Sequence, residues 1–381
     1  MADLGDIVRG EGARYLQTRF VPSHQRKALR DIARCRTEAM ESVTAKCDKC
    51  GAPYRLFCSC RNRSCPLCQS EARQKWLEAR LEEILPGEYL QVVFNTPKEL
   101  DVLAQYCPEE FYDAVMRAAG QAVIDVGWSE LHARLGCHAH LQTWGQSMAF
   151  HIHVHCVVPC GGFSEDGSQW IAFSPDDLPR KALSSRFRAL LCKGVRAAAR
   201  KGKLDRLPAT VSVEKILAKI MIREWRVYAK PPFGGAEKLY EYLSRYVYRV
   251  AITNERIESY EDGRVTFWWR DYRHGNEEKL CALEAQEFLR RYLTHVPPRA
   301  FVRIRSYGFL GNRNRKRNLE HARQLIGEAG APRTRAPYKP LRLCPACAGR
   351  DERTLHFVSC PDVVPQFDLP LRPPPIDPIA A

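Results

Sequence analysis

Apolar and polar residues alternate along this chain with two different periods. In SEARQKWLEARLEEIL (70–85), Leu77, Leu81, Ile84 and Leu85 recur at helical spacing, so the pattern predicts an amphipathic helix that Pro86-Gly87 ends. EYLQVVFNTP (88–97) is rich in β-branched and aromatic residues and predicts a strand. HAHLQTW (138–144) and MAFHIHVHCVVP (148–159) alternate with period two on either side of Gly145-Gln146-Ser147, and predict an antiparallel hairpin. RIESYEDGRVTFWWRDY (256–272) does the same about Glu261-Asp262-Gly263. Helices are expected over 8–45, 109–126, 182–200, 211–223 and 236–250, and no internal repeat interrupts the sequence.

Composition adds a partner to this picture. With 45% hydrophobic and 27% charged residues, the 381-residue chain is globular and long enough for more than one domain. Its net charge of +15 predicts a polyanionic partner, with nucleic acid first. A membrane partner is not expected, because no long apolar run or basic amphipathic helix is present. MADLGDIVRGEG does not read as a secretory leader, which predicts a cytoplasmic, nucleoid-associated protein. Sixteen cysteines in that setting suggest reduced thiols and metal sites rather than disulfides.

The cysteine spacing supports zinc. Cys47-x-x-Cys50 and Cys65-x-x-Cys68 predict one four-thiolate Zn²⁺ site. Cys35, Cys58 and Cys60 remain for a second, with His24 as a candidate fourth ligand. Cys344, Cys347, His356 and Cys360 form a CCHC-like set further on. Arg55, Arg61 and Arg63, beside the first cluster, suit phosphate contact.

In the strand FHIHVHC, residues two apart share a face, so His151, His153 and His155 project together, and neutral imidazoles so placed suit a divalent metal. A lone histidine would be an ordinary packed residue; three in register favour a site. In LYEYLSRYVYRV, Tyr242 and Tyr246 fall one helical turn apart, with Arg245 and Arg249 beside them. Core packing is the plain reading of such tyrosines. Near a metal, however, a phenol oxygen can attack a phosphodiester. Arg313, Arg315, Lys316 and Arg317 suggest backbone phosphate contact, and seven prolines in the last 21 residues suggest an extended tail.

LQTWGQ, HIHVHCVVPCGG, YAKPPFGG, YLSRYVYRVAITNERI and VTFWWRDY, in that order, together with the N-terminal CDKCG and CRNRSCPLCQ, resemble the insertion-sequence ninety-one family of rolling-circle transposases. The resemblance covers about residues 20 to 312. It implies an α+β fold: a ferredoxin-like antiparallel sheet carrying the catalytic domain (100–310), behind a zinc-binding domain (8–99) and ahead of a basic region (311–362) and a tail (363–381). It implies a metal-dependent single-strand endonuclease and strand transferase that acts on mobile-element ends and target through a 5′-phosphotyrosine. His153 and His155 would be the paired ligands of Mg²⁺ or Mn²⁺, Tyr242 and Tyr246 the nucleophiles, and Zn²⁺ structural. Gln142 stands where the resemblance leads one to expect histidine, so Gln142, Gln146 and His151 remain candidates for the third ligand. A non-catalytic zinc-dependent DNA-binding protein, and a plasmid replication initiator or relaxase with the same chemistry, are the alternatives.

Overall fold

The computed structural model describes residues 2–327, apart from 48–49, 233, 249–250 and 272–274. Arg249, Cys344, Cys347, His356, Cys360 and the Pro-rich tail therefore lie outside the described residues, and of Tyr246 only the backbone is described.

The chain runs α1 (Leu4–Thr18), α2 (Ser23–Arg34), β1 (Ser42–Lys46), β2 (Pro53–Phe57), α3 (Ser70–Glu82), β3 (Tyr89–Asn95), α4 (Asp101–Tyr106), α5 (Pro108–Leu131), β4 (Gly136–Trp144) and β5 (Phe150–Pro159). It continues through β6 (Gly161–Phe163), β7 (Trp170–Ala172), α6 (Arg180–Arg200), α7 (Val213–Met221), β8 (Val227–Lys230) and α8 (Gly235–Val247). Then come β9 (Ile257–Glu261), β10 (Arg264–Asp271), β11 (Glu277–Glu284), α9 (Ala285–Thr294), β12 (Ile304–Gly308) and α10 (Arg315–Ile326). The helix expected over 8–45 is instead two helices and a strand. Pro22 holds φ at −56° ahead of α2 and cannot continue α1, and the chain turns into the β1–β2 hairpin beyond Arg34.

Five antiparallel strands in the order β12-β4-β5-β3-β8 form the central sheet. Four of these, in the chain order β3-α5-β4-β5-α6-β8, have the split β-α-β connectivity of a ferredoxin-like fold, with β12 added beside β4. Alternation along each strand assigns its two faces. Ile152, Val154, Cys156 and Val158 of β5, with Val92 and Phe94 of β3, are wholly buried in a core shared with α5 and α6. Pro108 opens α5 at a position that has no intrahelical partner for its missing N–H, and Ala118, Ala119 and Ala122 leave the helix thin enough to lie close on the sheet.

The other face carries the polar residues of the same strands. Val157 on that face packs with Leu77 of α3 and with Leu239, Tyr240 and Leu243 of α8, which places the tyrosine helix over the histidine side of the sheet.

A second core joins distant parts of the chain. α1 and α2, Cys35, Cys65 and Cys68 share it with Phe267 of β10, Phe288 and Tyr292 of α9, and Trp144 and Met148 at the β4–β5 turn. Each fully buried Phe or Leu there contributes about 1.5–3 kcal/mol. Polar contacts pin the same turn: Arg291 donates to Ser147 O at 3.3 Å, and Arg256 donates to Gln146 O. His295 Nε2–H donates to Met148 O at 3.1 Å, and Thr143 Oγ1 lies 3.2 Å from its Nδ1. The hairpin that bears the histidines is thus clamped by the three-stranded β9–β10–β11 sheet and α9.

Candidate active site

His151, His153 and His155 emerge on one face of β5, as alternation requires, and form a ladder. Ring centroids are 5.0 Å apart between His151 and His153 and 4.9 Å apart between His153 and His155. Neighbouring strands extend the row. His153 is the register partner of Gln142 on β4 and of Asn95 on β3, and His155 is the partner of His140 on β4. The His140 and His155 rings lie 24° from parallel at 6.5 Å.

Hydrogen bonds set which ring nitrogens remain for a ligand. His153 Nδ1–H donates to His151 O at 3.1 Å, which leaves the Nε2 lone pair to ligate. The Gln91 amide meets His155 Nδ1 at 2.9 Å. The contacting atom is the amide nitrogen Nε2; exchanging the two ends of that amide would let its oxygen accept from Nδ1–H and leave Nε2 of His155 to ligate. Gln142 Nε2 donates to Trp144 O at 3.0 Å, so the amide oxygen is the end left over. His151 Nε2 is instead engaged by Asn95 Oδ1 at 3.0 Å.

Burial keeps these rings neutral. Desolvation, followed by the neighbouring His155 and His151, holds His153 well below the usual imidazole range. Burial, followed by His140, takes His155 down to about 3, and burial lowers His151 as well. A metal ion requires neutral ring nitrogens, and two imidazoles with an amide oxygen could hold a divalent cation, of which the imidazoles favour transition ions such as Mn²⁺ over Mg²⁺.

A cleft of about 740 Å³ opens over this ladder. Gln142, the three histidines, Tyr242 of α8 and Asp271 of β10 line it. Tyr242 is 43% exposed, whereas Tyr240, two residues earlier, is buried against Trp76, Tyr89 and His138. The helix therefore anchors itself through Tyr240 and presents Tyr242 to the cleft. Tyr246 follows one turn later on the same helix, and Arg245 is exposed.

The thiols regroup relative to the spacing. Cys35, Cys60, Cys65 and Cys68 bring their sulfurs within 4.8 Å of one another, and Cys47, Cys50 and Cys58 are not in this group. Cys35 Sγ and Cys60 Sγ lie 3.4 and 3.6 Å from Cys68 Sγ. Sulfurs at the corners of a tetrahedron 2.3 Å from Zn²⁺ are about 3.8 Å apart, so this is a fitting zinc cradle. The correction has a simple cause: Cys47 and Cys50 flank the tip of the β1–β2 hairpin, while the end of α2 brings Cys35 back onto the 60–68 loop. Hydrogen bonds from the thiols of Cys35 and then Cys60 hold the Cys68 thiol below its usual range. His24 belongs to no metal-holding group among the described residues.

The basic residues divide. Arg313, Lys316 and Arg317 are exposed. Arg315 is drawn inward, with its Nε 3.0 Å from Glu83, a carboxylate that also pairs with Arg80 at 2.7 Å and lies 3.6 Å from His138. Arg63 donates to Phe301 O and Pro298 O, so it is a structural strut. Sequence reasoning passed over His140 and Asp271. For His140 a signal was present, because HAHLQ repeats the period-two spacing of HIHVH; Asp271 enters only through tertiary packing.

The family described as "Putative transposase" matches residues 136–318, and the one described as "Transposase zinc-binding domain" matches residues 7–96. The chain is 41% identical over 368 residues to a "Putative transposase y4qJ" of Sinorhizobium fredii, covering 91% of this chain and 92% of that protein. It is 25% identical over 284 residues to the transposase for insertion sequence element IS801 of Pseudomonas savastanoi pv. phaseolicola, covering 73% of this chain and 68% of that protein. Among solved structures, the conjugative relaxase TrwC in complex with oriT DNA is similar over 42% of this chain and 72% of that one, at 13% identity and a TM-score of 0.25. Among the described residues, no helix is long and apolar enough to cross a membrane.

Proposed function

The chain belongs to the insertion-sequence ninety-one family of transposases, and from that premise we propose that it nicks and rejoins single-stranded DNA at element ends through a tyrosine-linked intermediate. The observation that carries this reading is the cleft in which Tyr242 faces His153, His155 and Gln142.

His153 and His155, with Gln142 as third ligand, would hold Mg²⁺ or Mn²⁺. Gln142 is preferred over His151 because it is the register partner of His153, and because His151 Nε2 is already engaged by Asn95. Bound there, the cation supplies charge neutralisation and polarisation at a phosphoryl oxygen. Tyr242 Oη attacks the scissile phosphorus and loses its proton. The bond from phosphorus to the 3′ oxygen breaks, and that oxygen takes up a proton. The products are a 5′-phosphotyrosine and a free 3′-hydroxyl, with the phosphodiester energy kept for rejoining. Tyr246 would serve the second transfer. The cysteine cradle would hold structural Zn²⁺ and keep the cleft wall in place through the core it shares with β10 and α9.

The test is incubation with single-stranded DNA carrying element ends, with and without Mn²⁺. A covalent protein–DNA adduct that needs metal and is lost in Tyr242→Phe/Tyr246→Phe supports the reading. Absence of any adduct under all metals returns the chain to a binding role.

A further inference from the structure

Tyr228 on the edge strand β8 lies in the same cross-strand row as the cleft imidazoles. His140, His155, Val93 and Tyr228 are successive register partners across β4, β5, β3 and β8. Register partners in an antiparallel sheet share a face, so Tyr228 projects on the histidine side, two strands and about 10 Å from His155. Tyr228 is 49% exposed. Lys230, partner of Gln91, is exposed on the same face. Around the strand edge a cleft of about 520 Å³ is lined by Arg180 and Lys181 of α6, by Arg226 and by Tyr228, with Glu224 as the acid in its lining.

Among the described residues, Arg180, Lys181, Arg226 and Lys230 enter no ion pair, whereas the nearby Lys219 and Arg223 are both paired with Glu99. An exposed aromatic ring among uncommitted cations is the chemistry of a single-strand platform, with bases stacked on the ring and phosphates held by the charges. We propose that the β8 edge binds single-stranded DNA, with a base stacked on Tyr228 and the flanking phosphates on Arg226, Lys230, Arg180 and Lys181. The separation from His155 corresponds to roughly three stacked nucleotides at 3.4 Å each, fewer if the strand is stretched. This rests on the single-strand chemistry proposed above and says where the strand runs beyond the cut.

The experiment is fluorescence anisotropy of the full chain with a labelled oligothymidylate, without added Mg²⁺ or Mn²⁺, so that binding is read apart from cleavage. Tyr228→Ala is expected to weaken binding roughly tenfold or more, and Tyr228→Trp to preserve it. Arg226→Gln with Lys230→Gln is expected to lower the salt slope by about 0.7 for each phosphate no longer neutralised. Unchanged affinity in Tyr228→Ala overturns the proposal. So does a wild-type dimer that dissociates in Tyr228→Ala, which would make the edge a protein interface. If the Tyr228 variants weaken binding but the wild type forms no adduct, the strand site stands and the tyrosine chemistry falls.

Discussion

Gln142 on β4 and His153 on β5 are register partners across the central hairpin, so an amide and an imidazole share one face where the family resemblance leads one to expect two imidazoles. Gln142→Ala should raise the Mn²⁺ concentration needed for half-maximal nicking by roughly 10–100-fold, the scale of removing one group that holds or orients a metal. Gln142→His should lower it and shift preference toward transition metals. His151→Ala should matter less than Gln142→Ala. A metal titration of nicking with the three variants gives the order directly, and the reverse order would make His151 the ligand.

The zinc grouping separates two pairings. Cys35→Ser and Cys60→Ser should each lose about one equivalent of zinc by elemental analysis and destabilise the fold by several kcal/mol, because ion binding is coupled to folding. A site built from the two CxxC pairs alone would leave Cys35→Ser fully loaded. Since the cluster shares its core with Trp144 and Phe267, zinc removal should also impair nicking.

How far the chain was readable follows from the range of each interaction. The histidine strand, its hairpin and the tyrosine helix were legible because their periodicities are local. Strand alternation by itself is enough to set His153 and His155 on one face. The return of Cys35 to the 60–68 loop was not legible, since CxxC spacing carries no information about a thiol some 25 residues upstream. Asp271 at the cleft and the shared core of residues 4–68 and 251–296 depend on packing between segments remote in sequence. Strand β8 is not legible because four residues after a helix show too little alternation.

Acid should act through His295 as well as through the cleft. Burial holds this imidazole down to about 4, against 6.5 in the unfolded chain. Between those values the unfolded state binds more protons, so stability is full above about pH 6.5 and falls as pH drops towards 4. The loss from this one group is roughly 3 kcal/mol. In His295→Gln the melting temperature, although lower at neutral pH, should fall less steeply over that window. An unchanged slope would contradict the assignment.

Arg315 and its neighbours should behave differently. Arg315→Ala breaks the pairing with Glu83 in a partly buried network and should lower the melting temperature, with little change in the salt dependence of DNA binding. Lys316→Ala with Arg317→Ala should leave melting within a degree or two, since exposed charges contribute little to stability. The same pair should reduce the salt slope of single-strand binding by about 0.7 for each phosphate that the wild-type side chains neutralise.

The central claim is that Tyr242 forms the first covalent bond to DNA. Digestion of the trapped adduct followed by mass spectrometry identifies the modified residue. The account predicts a 5′-phosphodeoxynucleotide on the peptide containing Tyr242, absent in Tyr242→Phe. An adduct carried by another residue while Tyr242 stays unmodified, or strand cleavage at full rate in Tyr242→Phe, would contradict it.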